Sequence, residues 1–222
     1  MRPGIRVLAT LALATVIAAA FGGPSLARRE AQPNPLEGEG AGLELIANIP
    51  WKGGTDMEMA TIKKRDYIFA GSETSLLDGG GTHVIDITNP EKPKQVAWIK
   101  CQFNQNDIQL SYNKKTLIMA SDVTGGPDAC LGSTRIGFMT VNIKNPKKPK
   151  PIGFADIPRG SHNTTAHPTA PYVYNSDSDL EGVGEIQIWS IKNPKKPELV
   201  NTVGPPDIAG HSPHDLSFSP DG

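Results

Sequence analysis

The sequence predicts an all-β protein assembled from repeated four-stranded units, and three observations predict it. A turn signature occurs three times: Ile87-Thr88-Asn89-Pro90-Glu91-Lys92-Pro93, Ile143-Lys144-Asn145-Pro146-Lys147-Lys148-Pro149 and Ile191-Lys192-Asn193-Pro194-Lys195-Lys196-Pro197. Each copy stands between two β-rich runs. No segment after residue 41 carries a helical pattern of apolar residues.

The N-terminus comes first. Arg2 and Arg6 precede an apolar, uncharged run over residues 7–21, then Gly22-Gly23-Pro24 and Ser25-Leu26-Ala27. That order of positive, apolar and small residues is a secretory signal, with cleavage expected near Ala27. The apolar run is shorter than the roughly 20 residues of a spanning helix. No later stretch could span a bilayer, so the mature chain is expected to carry no transmembrane segment. Residues 28–41 are rich in Pro, Gly, Glu and Ala and read as a flexible leader. The repeats occupy residues 42–222.

Within the repeats, Asn-Pro ends one strand and starts the next, because Pro presets φ and has no N–H to give a ladder. The resulting hairpins join residues 82–87 to 95–99, 136–143 to 151–157, and 185–191 to 199–203. Upstream of each lies a pair of shorter strands. The inner members start at Asp56, Asp107 and Asn163, and a fourth starts at Asp215. Polar turns then lead to strands over 67–70, 116–120 and 172–175. A unit of about 50 residues with four strands is the unit of a β-propeller blade. A β-sandwich would not repeat its turn chemistry so closely, and β-helix coils are shorter. The blades span about 56–100, 107–157 and 163–203, with the start of a fourth at His214. Residues 43–51 read as an extra outer strand of the kind that closes a ring. Closed propellers have about 4–8 blades, so the expectation is a partial propeller from a C-terminally truncated sequence.

The strand and turn His83-Val-Ile-Asp-Ile-Thr-Asn-Pro resembles the LVIVD-repeat β-propeller proteins of bacterial surfaces and secretions. Ser161-His162-Asn163 and His214-Asp215-Leu-Ser-Phe-Ser-Pro-Asp-Gly at unit starts carry the same resemblance, which spans roughly residues 42–222. Of the motif's strand aspartates only Asp86 is present; Asn142 and Ser190 stand in its place later. The resemblance implies a secreted or cell-wall-associated protein and says little about activity, since one fold hosts many functions.

Function is read from which residues share an edge. Antiparallel order puts the loops between units on one edge and the turns within each hairpin on the other. Cys101 and Cys130 fall on the first edge in neighbouring units, and an oxidising compartment would join them in a disulfide. Asp56, Asp107, His162, His214 and Asp215 line the mouth formed by the inner strands on that edge. Two readings stay open there: polar groups capping strand backbone, or ligands for a transition metal, imidazole and carboxylate together suiting zinc, copper or iron. His83 reads as a packing residue and His167 as solvent-exposed. Asn175, Asp177, Asp179 and Glu181 form an acidic loop with alternating oxygens, which calcium would suit, although Leu180 and Ile186 break the EF-hand pattern.

The chain has 22 basic and 23 acidic residues, which gives no footing for nucleic acid binding. Their distribution is uneven. Lysines fill the hairpin turns, Lys147, Lys148, Lys195 and Lys196 among them, and acids crowd the opposite edge. Such a basic face is suited to an anionic cell-wall polymer, lipid headgroups or another surface protein. No nucleophile elbow, phosphate loop or metalloprotease motif is present. The expected function is therefore a binding module. The alternative is a metal-dependent, oxidase-like enzyme with its site at the mouth.

Overall fold

The computed structural model describes residues 44–50, 54–72, 80–100, 106–121, 136–178, 184–204 and 213–219. Among them the chain forms twelve strands and no helix. The first four are β1 (Gly54–Ile62), β2 (Arg65–Ser72), β3 (Gly81–Asp86) and β4 (Lys94–Ile99). The next four are β5 (Ile108–Leu110), β6 (Thr116–Ser121), β7 (Gly137–Asn142) and β8 (Lys150–Asp156). The last are β9 (Asn163–Ala166), β10 (Tyr172–Ser178), β11 (Gly184–Ser190) and β12 (Glu198–Val203). They pair antiparallel, in chain order, into three four-stranded sheets.

The Asn-Pro turns are built alike. Asn89, Asn145 and Asn193 each accept the amide two residues on through Oδ1, at 3.1, 3.3 and 3.2 Å. Their carbonyls accept the amide three residues on, from Lys92, Lys148 and Lys196, at 3.1, 2.9 and 2.9 Å. This is a β-turn with Asn at its first position and Pro at its second, where a fixed φ of about −65° fits. The strand residue before each turn caps it as well. Asp86 Oδ1 accepts Thr88 N (3.1 Å), Asn142 Oδ1 accepts Lys144 N (3.1 Å) and Ser190 Oγ accepts Lys192 N (3.4 Å). Asp, Asn and Ser interchange at this position because each offers a side-chain oxygen to that amide. Seven residues after each turn asparagine the outer hairpin bulges: the registers skip Val96, Ile152 and Val200. A bulge at one fixed place bends and twists the outer strand identically in each sheet.

The sheets pack face to face in series. Tyr67, Phe69 and Val84 of the first sheet meet Leu117, Met119, Met139 and Val141 of the second in one apolar cluster. Ile118, Phe138 and Ala155, on the other face of the second sheet, meet Val173 and Trp189 of the third. The middle sheet is thus covered on both sides, which is why β6 is apolar at successive positions rather than alternating. Fully burying a side chain such as Phe69, Leu117 or Phe138 contributes about 1.5–3 kcal/mol. The inner strands β1, β5 and β9 lie side by side. β12, the outer strand of the third sheet, is exposed throughout.

Three sequence expectations are corrected. Residues 44–50 join no ladder. Ile46 to Ile49 instead lie along the outer face of the first sheet, where with Met57, Ile68 and Ile85 they line a cleft of about 420 Å³. Residues 213–219, expected as an inner strand, also lack a ladder, but they run beside β9: Thr165 Oγ1 donates to the Leu216 carbonyl (3.0 Å) and Phe218 packs on Tyr174. The acidic loop begins later than expected, because β10 continues through Asn175 and Asp177 to Ser178. A carboxylate is tolerated inside that strand because Arg159 sits on it, Nε and Nη2 donating to Asp177 Oδ2 at 3.0 and 2.7 Å.

Candidate functional site

Two edges of the sheets carry the residues singled out by sequence. The first is the edge at which the inner strands begin. There the aspartates act between sheets. Asp56 Oδ2 accepts the amide of Ile108, at the head of β5 (3.2 Å). Asp107 Oδ2 accepts the amide and hydroxyl of Thr164, at the head of β9 (2.8 and 3.2 Å). Each acid staples its inner strand to the next one, satisfying an amide that no ladder reaches. Burial pushes the Asp107 carboxyl up to about 7, with the Asp56 charge adding to it and the Thr164 amide opposing it. Asp215 Oδ1 accepts the neighbouring Leu216 amide (2.7 Å), as Asp56 Oδ1 accepts Met57 N (2.7 Å).

The histidines of this edge meet each other: His162 Nε2 lies 2.9 Å from His214 Nε2. The structure therefore divides the expected ligand set into three acids engaged with backbone amides and a pair of imidazoles that meet each other. Among the described residues no group of three or more His, Cys, Asp or Glu is arranged to hold a metal ion. His83 packs as expected, stacked on Trp98 with ring centroids 5.1 Å apart and bonded to Gln95 (3.1 Å). His167 is half-buried rather than exposed; its Nδ1 accepts the amides of Thr169 and Ala170, both at 3.1 Å, which closes the β9–β10 turn.

Of the residues read as a calcium loop, Asn175 and Asp177 are buried, at 0% and 1% exposure. Asn175 Oδ1 accepts the Ser161 hydroxyl, and Asp177 takes Gln187 Nε2 (3.2 Å) in addition to Arg159. The Arg159 guanidinium neutralises the Asp177 carboxylate that a calcium ion would need, and Gln187 adds a neutral donor to the same oxygen. Asp179 and Glu181, and both Cys101 and Cys130, lie outside the described residues.

The second edge is that of the turns. In each sheet the two hairpin turns are tied together by one backbone bond, from Ile87 N to Asp66 O, Ile143 N to Lys115 O and Ile191 N to Pro171 O, at 2.9, 3.0 and 2.9 Å. The turns carry Lys63 and Lys64, Lys92 and Lys94, Lys114 and Lys115, then Lys144, Lys147, Lys148 and Lys150, then Lys192, Lys195 and Lys196, all exposed. Acids are few here. Burial pushes the Asp86 carboxyl up, but Thr88 and the Arg65 guanidinium (2.6 Å) outweigh it and hold it below the ordinary carboxylate range. Arg65 is thus spent on Asp86. The Lys196–Glu198 pair, at 3.6 Å and open to water, is worth little. Lys63 and Lys64 sit at φ of 52° and 63° in a two-residue turn, a conformation that glycine or asparagine adopts more cheaply. No family model matches this chain, and no curated protein matches it.

Proposed function

We propose that this chain is part of an exported β-propeller of the LVIVD-repeat kind, and that it works as a binding module whose lysine edge docks on an anionic surface. The propeller reading is supported by three like sheets that share turn, cap and bulge, with their inner strands side by side. Export rests on the signal over residues 1–27 and would permit a Cys101–Cys130 disulfide. No helix among the described residues is long and apolar enough to cross a membrane.

The single observation that carries the docking reading is the gathering of exposed lysines on one edge, with few acids among them. Lysine turns also keep strand edges from pairing. Charge of one sign over a whole edge adds a second effect. Each lysine near an anionic surface contributes about 1 kcal/mol, so a few acting together suffice for attachment. Phosphate- or carboxylate-bearing wall polymer and anionic lipid headgroups share this chemistry, and the test has an arm for each. The protein is sedimented with purified cell wall and, separately, with vesicles containing anionic lipid, at low and high salt. Binding should fall steeply with salt, since the screening length is about 8–10 Å near physiological ionic strength. Replacing Lys147, Lys148, Lys195 and Lys196 by Gln should reduce it several-fold. Salt-independent binding, or a quadruple variant that binds like the parent, would remove the docking reading. Binding to one surface alone identifies the source.

A further inference from the structure

The repeats provide their own reference for the residue just before Asp56, Asp107, Asn163 and Asp215, which open the equivalent inner segments. In chain order that residue is Thr55, Asn106, His162 and His214. In the first two units it joins sheet to sheet. Thr55 Oγ1 donates to the Asn106 carbonyl (3.1 Å), and Asn106 Nδ2 donates to Gly81 O and Thr82 Oγ1 (2.7 and 3.3 Å). A small polar side chain is therefore enough for the architecture. At the next two positions the chain carries imidazoles instead. The rings meet edge to face, with centroids 4.4 Å apart and planes at 68°, and their Nε2 atoms approach to 2.9 Å.

We infer that His162 and His214 form a two-imidazole site for a divalent first-row transition metal, copper(II) above the others. A metal–imidazole bond is about 2.0–2.1 Å long, so two nitrogens at right angles on one ion stand about 2.9 Å apart, against about 3.3–3.4 Å at a tetrahedral angle. The observed 2.9 Å is the right-angle spacing, which tetragonal copper(II) prefers, and copper(II) is also the tightest binder of the divalent series. Without a metal the same approach requires one ring to donate Nε2–H to the other. At a solvent-exposed position such a bond gains little over water. Among the described residues no third His, Cys, Asp or Glu completes the set. Solvent would fill the remaining positions, leaving them open to exchange. The site lies on the edge opposite the lysines and does not depend on the docking reading.

The test is titration of the full chain with Cu²⁺, followed by calorimetry and by electron paramagnetic resonance. One ion per chain with hyperfine coupling to imidazole nitrogen is expected. His162→Asn and His214→Thr place at each position a residue the protein already uses at its equivalents, so the fold should be retained, as circular dichroism would verify. Each should weaken Cu²⁺ binding at least tenfold, and His167→Asn should leave it unchanged. Wild-type affinity in both variants would overturn the site, as would no binding by the parent. A second measurement needs no substitution: Cu²⁺ should protect His162 and His214 from diethyl pyrocarbonate, read residue by residue by mass spectrometry. Unprotected His162 and His214 at saturating Cu²⁺ would equally overturn it.

Discussion

Replacing Asp107 by Asn should flatten the dependence of stability on pH and leave the protein more stable than the parent above neutrality. The sign follows from the direction of the shift. Burial raises the Asp107 carboxyl from an ordinary value of 3.8 to about 7, so the folded chain holds a proton there that the unfolded chain has released. The contribution of the protonated group is fully present below pH about 4 and is lost as pH rises to about 7, after which the curve is level. An asparagine cannot ionise. Its Oδ1 still accepts the Thr164 amide, and the chain itself has Asn163 at the equivalent place in the next unit. Glu58, which burial also pushes up, adds slope of the same sign, so the flattening is partial. Urea unfolding between pH 4 and 8 measures this. Parallel curves for parent and variant would show that Asp107 carries no such proton.

Gly153→Ala should be among the more damaging single-atom additions in the chain. A Cβ at this position of β8 would overlap the Pro194 carbonyl oxygen and lie 2.8 Å from the Lys195 carbonyl. Both belong to the Asn-Pro turn of the third sheet, and Thr140 Oγ1 of β7 donates to the same Pro194 oxygen. Sheets two and three are therefore joined by backbone meeting backbone, where no side chain can swing away. Overpacking at such a contact costs roughly 1–3 kcal/mol. The loss should appear in the urea midpoint. An unchanged midpoint would mean that the third turn does not sit against the second sheet.

The turns and strands were legible in the sequence because their causes are local. Asn-Pro supplies its own hydrogen bonds within a few residues, and the strands around it need only alternation and β-branched side chains. Sheet-to-sheet chemistry was harder to read. The partners of Asp56 and Asp107 are backbone amides 52 and 57 residues away, and an amide leaves no mark in a sequence. The Arg159–Asp177 pair was missed because an arginine in a linker has no pattern to follow, and with it was missed the continuation of β10. The bulges at Val96, Ile152 and Val200 fall on ordinary β-branched strand residues, which nothing in the sequence sets apart. His162 and His214 could be found because the repeat puts both at one position in consecutive units. Their approach within 2.9 Å rests on the packing of the segment from 213 to 219 against β9.

The lysine edge is tested most directly by footprinting. The protein is treated briefly with an amine acetylating reagent, free in solution and bound to the anionic surface that it sediments with, and each lysine is then quantified by mass spectrometry. Lys92, Lys147, Lys148, Lys195 and Lys196 should lose reactivity on binding. Lys100, exposed just beyond the opposite end of β4 with its Nζ 4.6 Å above the Trp98 ring, should keep it. Equal protection of Lys100 and the turn lysines, or protection of Lys100 alone, would contradict docking through the turn edge.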